Sequence, residues 1–175
     1  MKTWTSETLT ASDMTTYLTD NIEYLKGRTD GVAFSGVEAT RSTNQSISTG
    51  SDTDVSFTAE SFDYGGWFGG SGTTITVPAA AVPSGYTTIA VGVYVYGRYA
   101  SNGTGYRRLT VVVNGTDQAA ISVDANAGAE TQVAFTDFAI VEAGDTIKIT
   151  TYQTSGGNLN LEVCSVRVIR HAPVA

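Results

Sequence analysis

The sequence has little of what most catalytic chemistry needs. Among 175 residues there is one cysteine, Cys164, and one histidine, His171. A lone cysteine cannot close an intramolecular disulfide, which excludes the stapled framework of a small secreted domain. With one histidine, near the C-terminal end, the mechanisms that pair a histidine base with a Ser or Cys nucleophile all hang on one residue. Most hydrolase readings fall with it, and no catalytic residue is expected. Zinc wants three or four ligands; Cys164 and His171 lie on or beyond a single strand, so no metal and no cofactor are expected. No run approaches about 18 uninterrupted apolar residues, so no membrane insertion is expected. The opening MKTWTSETLTASDMT has no apolar run of signal-peptide length, and folding in a reducing cytoplasm is the expectation. Basic residues are outnumbered 17 to 10, giving a net charge of -7 and a pI near 4.5. Phosphate backbones and anionic membranes repel such a chain, which argues against nucleic acid as a partner.

What is present points to strands and turns. Hydrophobic residues make up 41%, with 19 Gly, 9 Tyr and only 15% charged residues. That is too apolar for disorder and too poor in charge for a helical protein. The length suits one domain, or one domain with a short appendage.

Residues 9 to 27 differ from the rest, because Met14, Tyr17, Leu18, Ile22 and Leu25 recur at three- and four-residue steps. That period predicts an amphipathic helix. Thr10 with Asp13 has the spacing of a capping box, and Lys26 and Gly27 suit its end. A short helix is marginal alone, so its apolar stripe needs a partner, with Trp4 as an extra anchor. Residues 28 to 37 read as a linker.

From residue 38 the period changes to two, in short runs divided by Gly, Asn, Ser and Asp. Strands are predicted near 38–42, 45–48, 53–59, 73–77, 87–99, 106–113, 118–124, 131–141, 145–153 and 159–170, the spacing of a sandwich. Asn114-Gly115 and Asn102-Gly103 mark tight turns. In TTIAVGVYVYGRYA both faces are apolar, with Ile89, Val91, Val93 and Val95 opposite Ala90, Gly92, Tyr94 and Tyr96. Either the strand lies under a helix or loop, or the tyrosine face packs on other copies of the chain. The run from Phe135 to Val141 repeats the pattern, with Phe138 and Ile140 on the second face. Two such strands favour an obligate oligomer, since a monomer would expose a large apolar patch.

Other residues admit two readings each. Tyr64, Trp67 and Phe68 sit among glycines in DYGGWFGGSG. They suit contact with a saccharide or protein, or they plug the end of the sandwich. Asp52, Asp54, Asp63 and Glu60 form an acidic group that either takes calcium or consists of solvated turn residues. Arg98, Arg107 and Arg108 lie near Tyr99 and Tyr106, and bind an acidic glycan or, more simply in an acidic oligomer, bridge subunits. Cys164 reads as a small buried side chain.

Segments 41–66, 105–116 and 143–161, with the closing SVRVIR, resemble the bacterial and phage branch of the tumour-necrosis-factor and complement-globular-head superfamily. Among them are Asn44-Gln45-Ser46 followed by Thr53 to Phe57, Gly105-Tyr106-Arg107-Arg108, and Gly144-Asp145 leading to Tyr152-Gln153-Thr154-Ser155-Gly156. The resemblance implies an antiparallel jelly-roll β-sandwich, mainly β after one short N-terminal α-helix, that assembles as a homotrimer. The segment WTSETLTASDMTTYLTDNIEYLKG resembles the opening of phage tail and head accessory proteins. Together these imply a non-enzymatic virion protein with an attachment segment at 1–27, a linker at 28–37 and a head domain at 38–175. Trp4, Met14, Tyr17, Leu18, Ile22 and Leu25 would then grip another virion protein. Tyr94, Tyr96, Phe138, Tyr152, Arg98 and Arg108 would form the oligomer interface, and Tyr64, Trp67 and Phe68 would meet a host cell-surface glycan or protein. Host attachment in a tail comes first, capsid decoration second. A glycan-active enzyme is the third class, and it would need two carboxylates facing across about 5 to 10 Å. The stretch 77–86, VPAAAVPSGY, is longer and richer in alanine than the family's turn at that place.

Overall fold

The computed structural model describes residues 34–174. The expected helix at 9–27 and the residues expected to hold the virion, Trp4, Met14, Tyr17, Leu18, Ile22 and Leu25, lie outside the described residues. The described residues form eleven strands: β1 (Gly36–Arg41), β2 (Gln45–Ile47), β3 (Thr53–Asp54), β4 (Ala59–Tyr64), β5 (Ile75–Thr76), β6 (Thr88–Tyr99), β7 (Tyr106–Val113), β8 (Thr116–Asp124), β9 (Thr131–Glu142), β10 (Thr146–Gln153) and β11 (Leu159–Val174). A 3₁₀ turn, Ala79–Ala81, interrupts the stretch 77–86 and buries Ala81.

Two antiparallel sheets form a jelly-roll sandwich. The first has the order β4-β1-β11-β6-β9, with β2 beside the start of β11. The second has the order β3-β10-β7-β8, with β5 beside β10. Alternation explains the core between them: every second residue faces inward. Val37 and Ala39, Val91 and Val93, Val166 and Val168 come from one sheet, and Leu109, Val111, Ile147 and Ile149 from the other, all nearly without solvent exposure.

The turn chemistry follows the sequence. Asn114 adopts φ 50° and Gly115 φ 78°, the left-handed pair that a two-residue hairpin between β7 and β8 demands. The Asn102 side chain accepts from the Thr104 amide at 2.9 Å. Gln153 is buried yet satisfied: its amide donates to the carbonyls of Ile47 and Gly157 and its oxygen accepts from the Ser155 amide.

Three boundaries differ from expectation. The sandwich begins inside the expected linker, since Gly36 and Val37 already belong to β1. The 53–59 strand shrinks to Thr53–Asp54, and β4 forms where no strand was expected. That strand lies at a sheet edge, half in solvent, and lacks the inward apolar alternation that announces a strand.

Cys164 is fully buried on β11, and burial pushes its thiol up to about 12. Because the thiolate is the nucleophile, native protein should react with a disulfide reagent at pH 8 only as fast as it opens. Labelling is expected to be at least about a hundredfold slower than in denaturant, and equal rates would remove Cys164 from the core.

Candidate functional site

The outward side of the first sheet is the candidate site, and antiparallel register builds it row by row. In one row Phe62 lies opposite Glu38, Glu38 opposite Arg167, Arg167 opposite Tyr94, and Tyr94 opposite Thr136. In the next, Tyr64 lies opposite Gly36, then Ile169, Gly92 and Phe138. Residues far apart in the sequence thus form one surface.

Its two edges are apolar. At the β9 edge Phe138 is 65% exposed and Ile140 57%, beside Tyr94 at 37%. At the β4 edge three rings cluster: Phe62 stacks on Tyr64 with centroids 5.7 Å apart, and Phe34 meets both at 5.6 and 5.4 Å. Between the edges lies a shallow depression of about 440 Å³, with Tyr94, Tyr96, Ala134, Thr136, Glu38 and Arg167 around it. The charges there are paired, since Arg167 meets Glu38 at 3.1 Å and lies 5.9 Å from the Phe62 ring centre.

Two glycines shape the surface. A Cβ on Gly36 would come within 2.3 Å of the Val168 carbonyl oxygen, and one on Gly92 within 2.5 Å of His171 Nε2. The absence of a side chain at 92 is what lets the imidazole lie down on β6. There it reaches Phe138, ring centres 5.2 Å apart.

The residues expected at one interface divide between the two sheets. Tyr94, Tyr96, Arg98 and Phe138 belong to the first sheet. Tyr152 and Arg108 are strand neighbours in the second, on β10 and β7. Tyr152 stacks on Tyr106 with centroids 5.6 Å apart, and Arg108 lies over the Tyr152 ring at 4.7 Å while binding Asp52 at 2.6 Å. The bond to Asp52 holds the Arg108 guanidinium above its ordinary value, and hydrogen bonding with Tyr106 raises the Tyr152 hydroxyl. Arg98 sits 3.4 Å from both Glu130 and Glu162 of its own chain. Arg98 and Arg108, expected to bridge subunits, each have carboxylate partners within their own chain.

Arg107, read from the sequence beside Arg98 and Arg108, is not a surface residue. It is fully buried, and its guanidinium donates to the carbonyls of Asn102, Thr104 and Tyr106 at 2.9 to 3.1 Å. Desolvation lowers its pKa, as burial does for any cation. Tyr99, buried nearby, shares a 2.6 Å bond with Thr151 Oγ1, and desolvation pushes its hydroxyl upward.

The aromatic loop is corrected in two of three positions. Trp67 is 1% exposed and Phe68 8%, both in the core. The Asp63 carboxylate accepts from both backbone amides at 2.9 Å, and the indole N–H donates to Ser35 Oγ at 2.9 Å. With their rings inside, Trp67 and Phe68 offer nothing to a ligand, while Tyr64 is 58% exposed. The glycines around them supply positive φ at Gly65, Gly66 and Gly70, so the loop folds inward instead of waving outward. Asp63 thereby leaves the acidic group. Asp52 pairs with Arg108 and Asp54 with Lys148 at 2.9 Å. No group of three or more metal-ligating side chains gathers among the described residues.

Phe34, Phe62 and Ile169 join the surface without having been singled out, and so does His171, which the sequence offered only as a base or zinc ligand. Only the alternation of Phe62 and Tyr64 hinted at one of them.

No family model matches the sequence, and no curated protein matches it either. Solved structures do. Murine APRIL, at pH 8.0, is 13% identical, with 77% of this chain and 98% of that one covered and a TM-score of 0.56. The vertex protein P5 of PRD1 is 17% identical, with coverage of 79% and 97% and a TM-score of 0.52. Eiger TNF from S. frugiperda is 11% identical, with coverage of 81% and 95% and a TM-score of 0.51. At such identities the likeness is one of fold, and the described domain is a jelly roll of the tumour-necrosis-factor-like type.

Proposed function

We propose that this chain is a non-enzymatic virion protein of a phage whose jelly-roll head assembles as a homotrimer for attachment to a host. The observation that carries the assembly is the outward side of the first sheet, with exposed rings at both of its edges. A heterologous contact joins one part of a surface to a different part of the next copy, and closes into a ring when the rotation allows. Phe138 and Ile140 at one edge, with Phe34, Phe62 and Tyr64 at the other, supply two such parts. Domains of this fold generally trimerise and are typically non-enzymatic, which supports the same reading.

The virion assignment draws on the likeness to a vertex protein and on the resemblance of residues 1–27 to phage accessory proteins. Those residues would tether the head to another virion protein. The vertex likeness also favours a second reading, capsid decoration. The two separate on the partner: an attachment head sediments with host cells, a decoration protein with purified capsids.

Light scattering on the full chain and on residues 34–175 is expected to give three chains per particle in both. A monomer at micromolar concentration would overturn the assembly and the display function built on it.

A further inference from the structure

His171 is the chain's one histidine, and it stands on the surface that the trimer reading covers. We infer that His171 is a contact between subunits, and that its protonation opens the assembly; this rests on the homotrimer proposed above.

The geometry is specific. The imidazole lies over Gly92, a position that any side chain would fill, and its ring meets Phe138 at 5.2 Å. Phe138 is among the most exposed large hydrophobic residues described, so a second copy that covers it covers His171 too. Histidine is the side chain that changes charge between pH 5 and 8.

Among the described residues the charged and titratable groups on this side of the sheet do not offer His171 a counter-ion; its neighbour Arg170 is itself a cation and donates to the Ala81 carbonyl at 3.3 Å. On β6 the nearest is Tyr94, whose ring also borders the Gly92 position; Tyr96 and Arg98 follow farther along the strand. On β11 Arg167 is held by Glu38 of β1. On β9 the neighbours are Phe138 and Ile140, and Glu142 lies two rows beyond Phe138, opposite Thr88. An imidazolium buried there between copies would lose its hydration without gaining a carboxylate.

The sign follows. Covering the ring disfavours the charged form, so the assembled state binds fewer protons than the separated chains. Association is complete above the histidine range and weakens as pH falls through it.

The test is native mass by sedimentation equilibrium on the full chain at pH 8.0 and 5.5, with circular dichroism at both to confirm folding. Wild type is expected as a trimer at pH 8.0, with subunit affinity reduced about tenfold or more at pH 5.5. His171→Phe and His171→Gln, both neutral, should hold the same mass at the two pH values. A wild-type trimer of equal affinity at both pH values overturns the inference and leaves the trimer standing. So does a pH response that persists in both variants, which would place the titrating group elsewhere. A folded monomer at pH 8.0 overturns the trimer reading, and the inference with it.

Discussion

Replacing Trp67 by alanine is expected to destabilise the head by about 3–5 kcal/mol, the range for removing a buried tryptophan. The side chain is 1% exposed and its loop is tied down at three points: the Asp63 carboxylate on two amides, Ser35 on the indole, and the Thr76 amide on the Trp67 carbonyl. Truncation would leave a cavity at the end of the sandwich and strip Ser35, itself 3% exposed, of its donor. For a domain of this size the loss corresponds to a fall in melting temperature of about 10 °C or more. Urea unfolding at fixed protein concentration would read it as a lower midpoint with an unchanged slope. Trp67→Phe keeps most of the volume and should cost less than half as much. A change under about 1 kcal/mol for the alanine variant would mean that the ring is not core, and would return Trp67 to the candidates for ligand contact.

Tyr94→Lys is expected to reduce the native mass from three chains to one. Tyr94 is 37% exposed on the outward side of β6, so a lysine there points into water in a separated chain and the fold is kept. In the proposed assembly the same ammonium becomes buried, with Glu38, which lines the same depression, already held by Arg167. An unpaired buried charge costs about 3–5 kcal/mol, and every interface of a trimer would carry one. Tyr152→Lys is the control, because Tyr152 lies on the second sheet beside Arg108 and Tyr106; its mass should stay that of a trimer. If Tyr152→Lys dissociates the assembly and Tyr94→Lys does not, the wrong sheet has been assigned to the interface.

Much of the sandwich was legible because alternation is a local property. Long runs such as Thr88–Tyr99 and Thr131–Glu142 state their period of two without help from the rest of the chain, and Asn114-Gly115 states its turn. The second apolar faces of β6 and β9 were legible in the same way, and Tyr94, Phe138 and Ile140 do stand exposed on the outward side. β4 was not legible, since an edge strand half in solvent has no inward stripe to show. The fate of Trp67 stayed open in the sequence between ligand contact and a plug at the end of the sandwich, and burial decides for the plug: glycines around an aromatic residue look like slack, whereas here they supply the positive φ that turns the ring inward.

The sequence by itself determined the class of fold, the hairpins, the absence of a disulfide framework and the presence of strands with two apolar sides. Those follow from spacing and composition, which neighbouring residues express on their own. Only the tertiary structure decided which residues share a surface. Strand order in a sandwich is fixed by long-range pairing, and it placed residues 64, 36, 169, 92 and 138 in one row while sending Tyr152 and Arg108 to the other sheet. Burial was decided the same way: Arg107 and Arg108 are adjacent in sequence, yet one guanidinium is buried against the carbonyls of Asn102, Thr104 and Tyr106 and the other is half-buried beside Asp52.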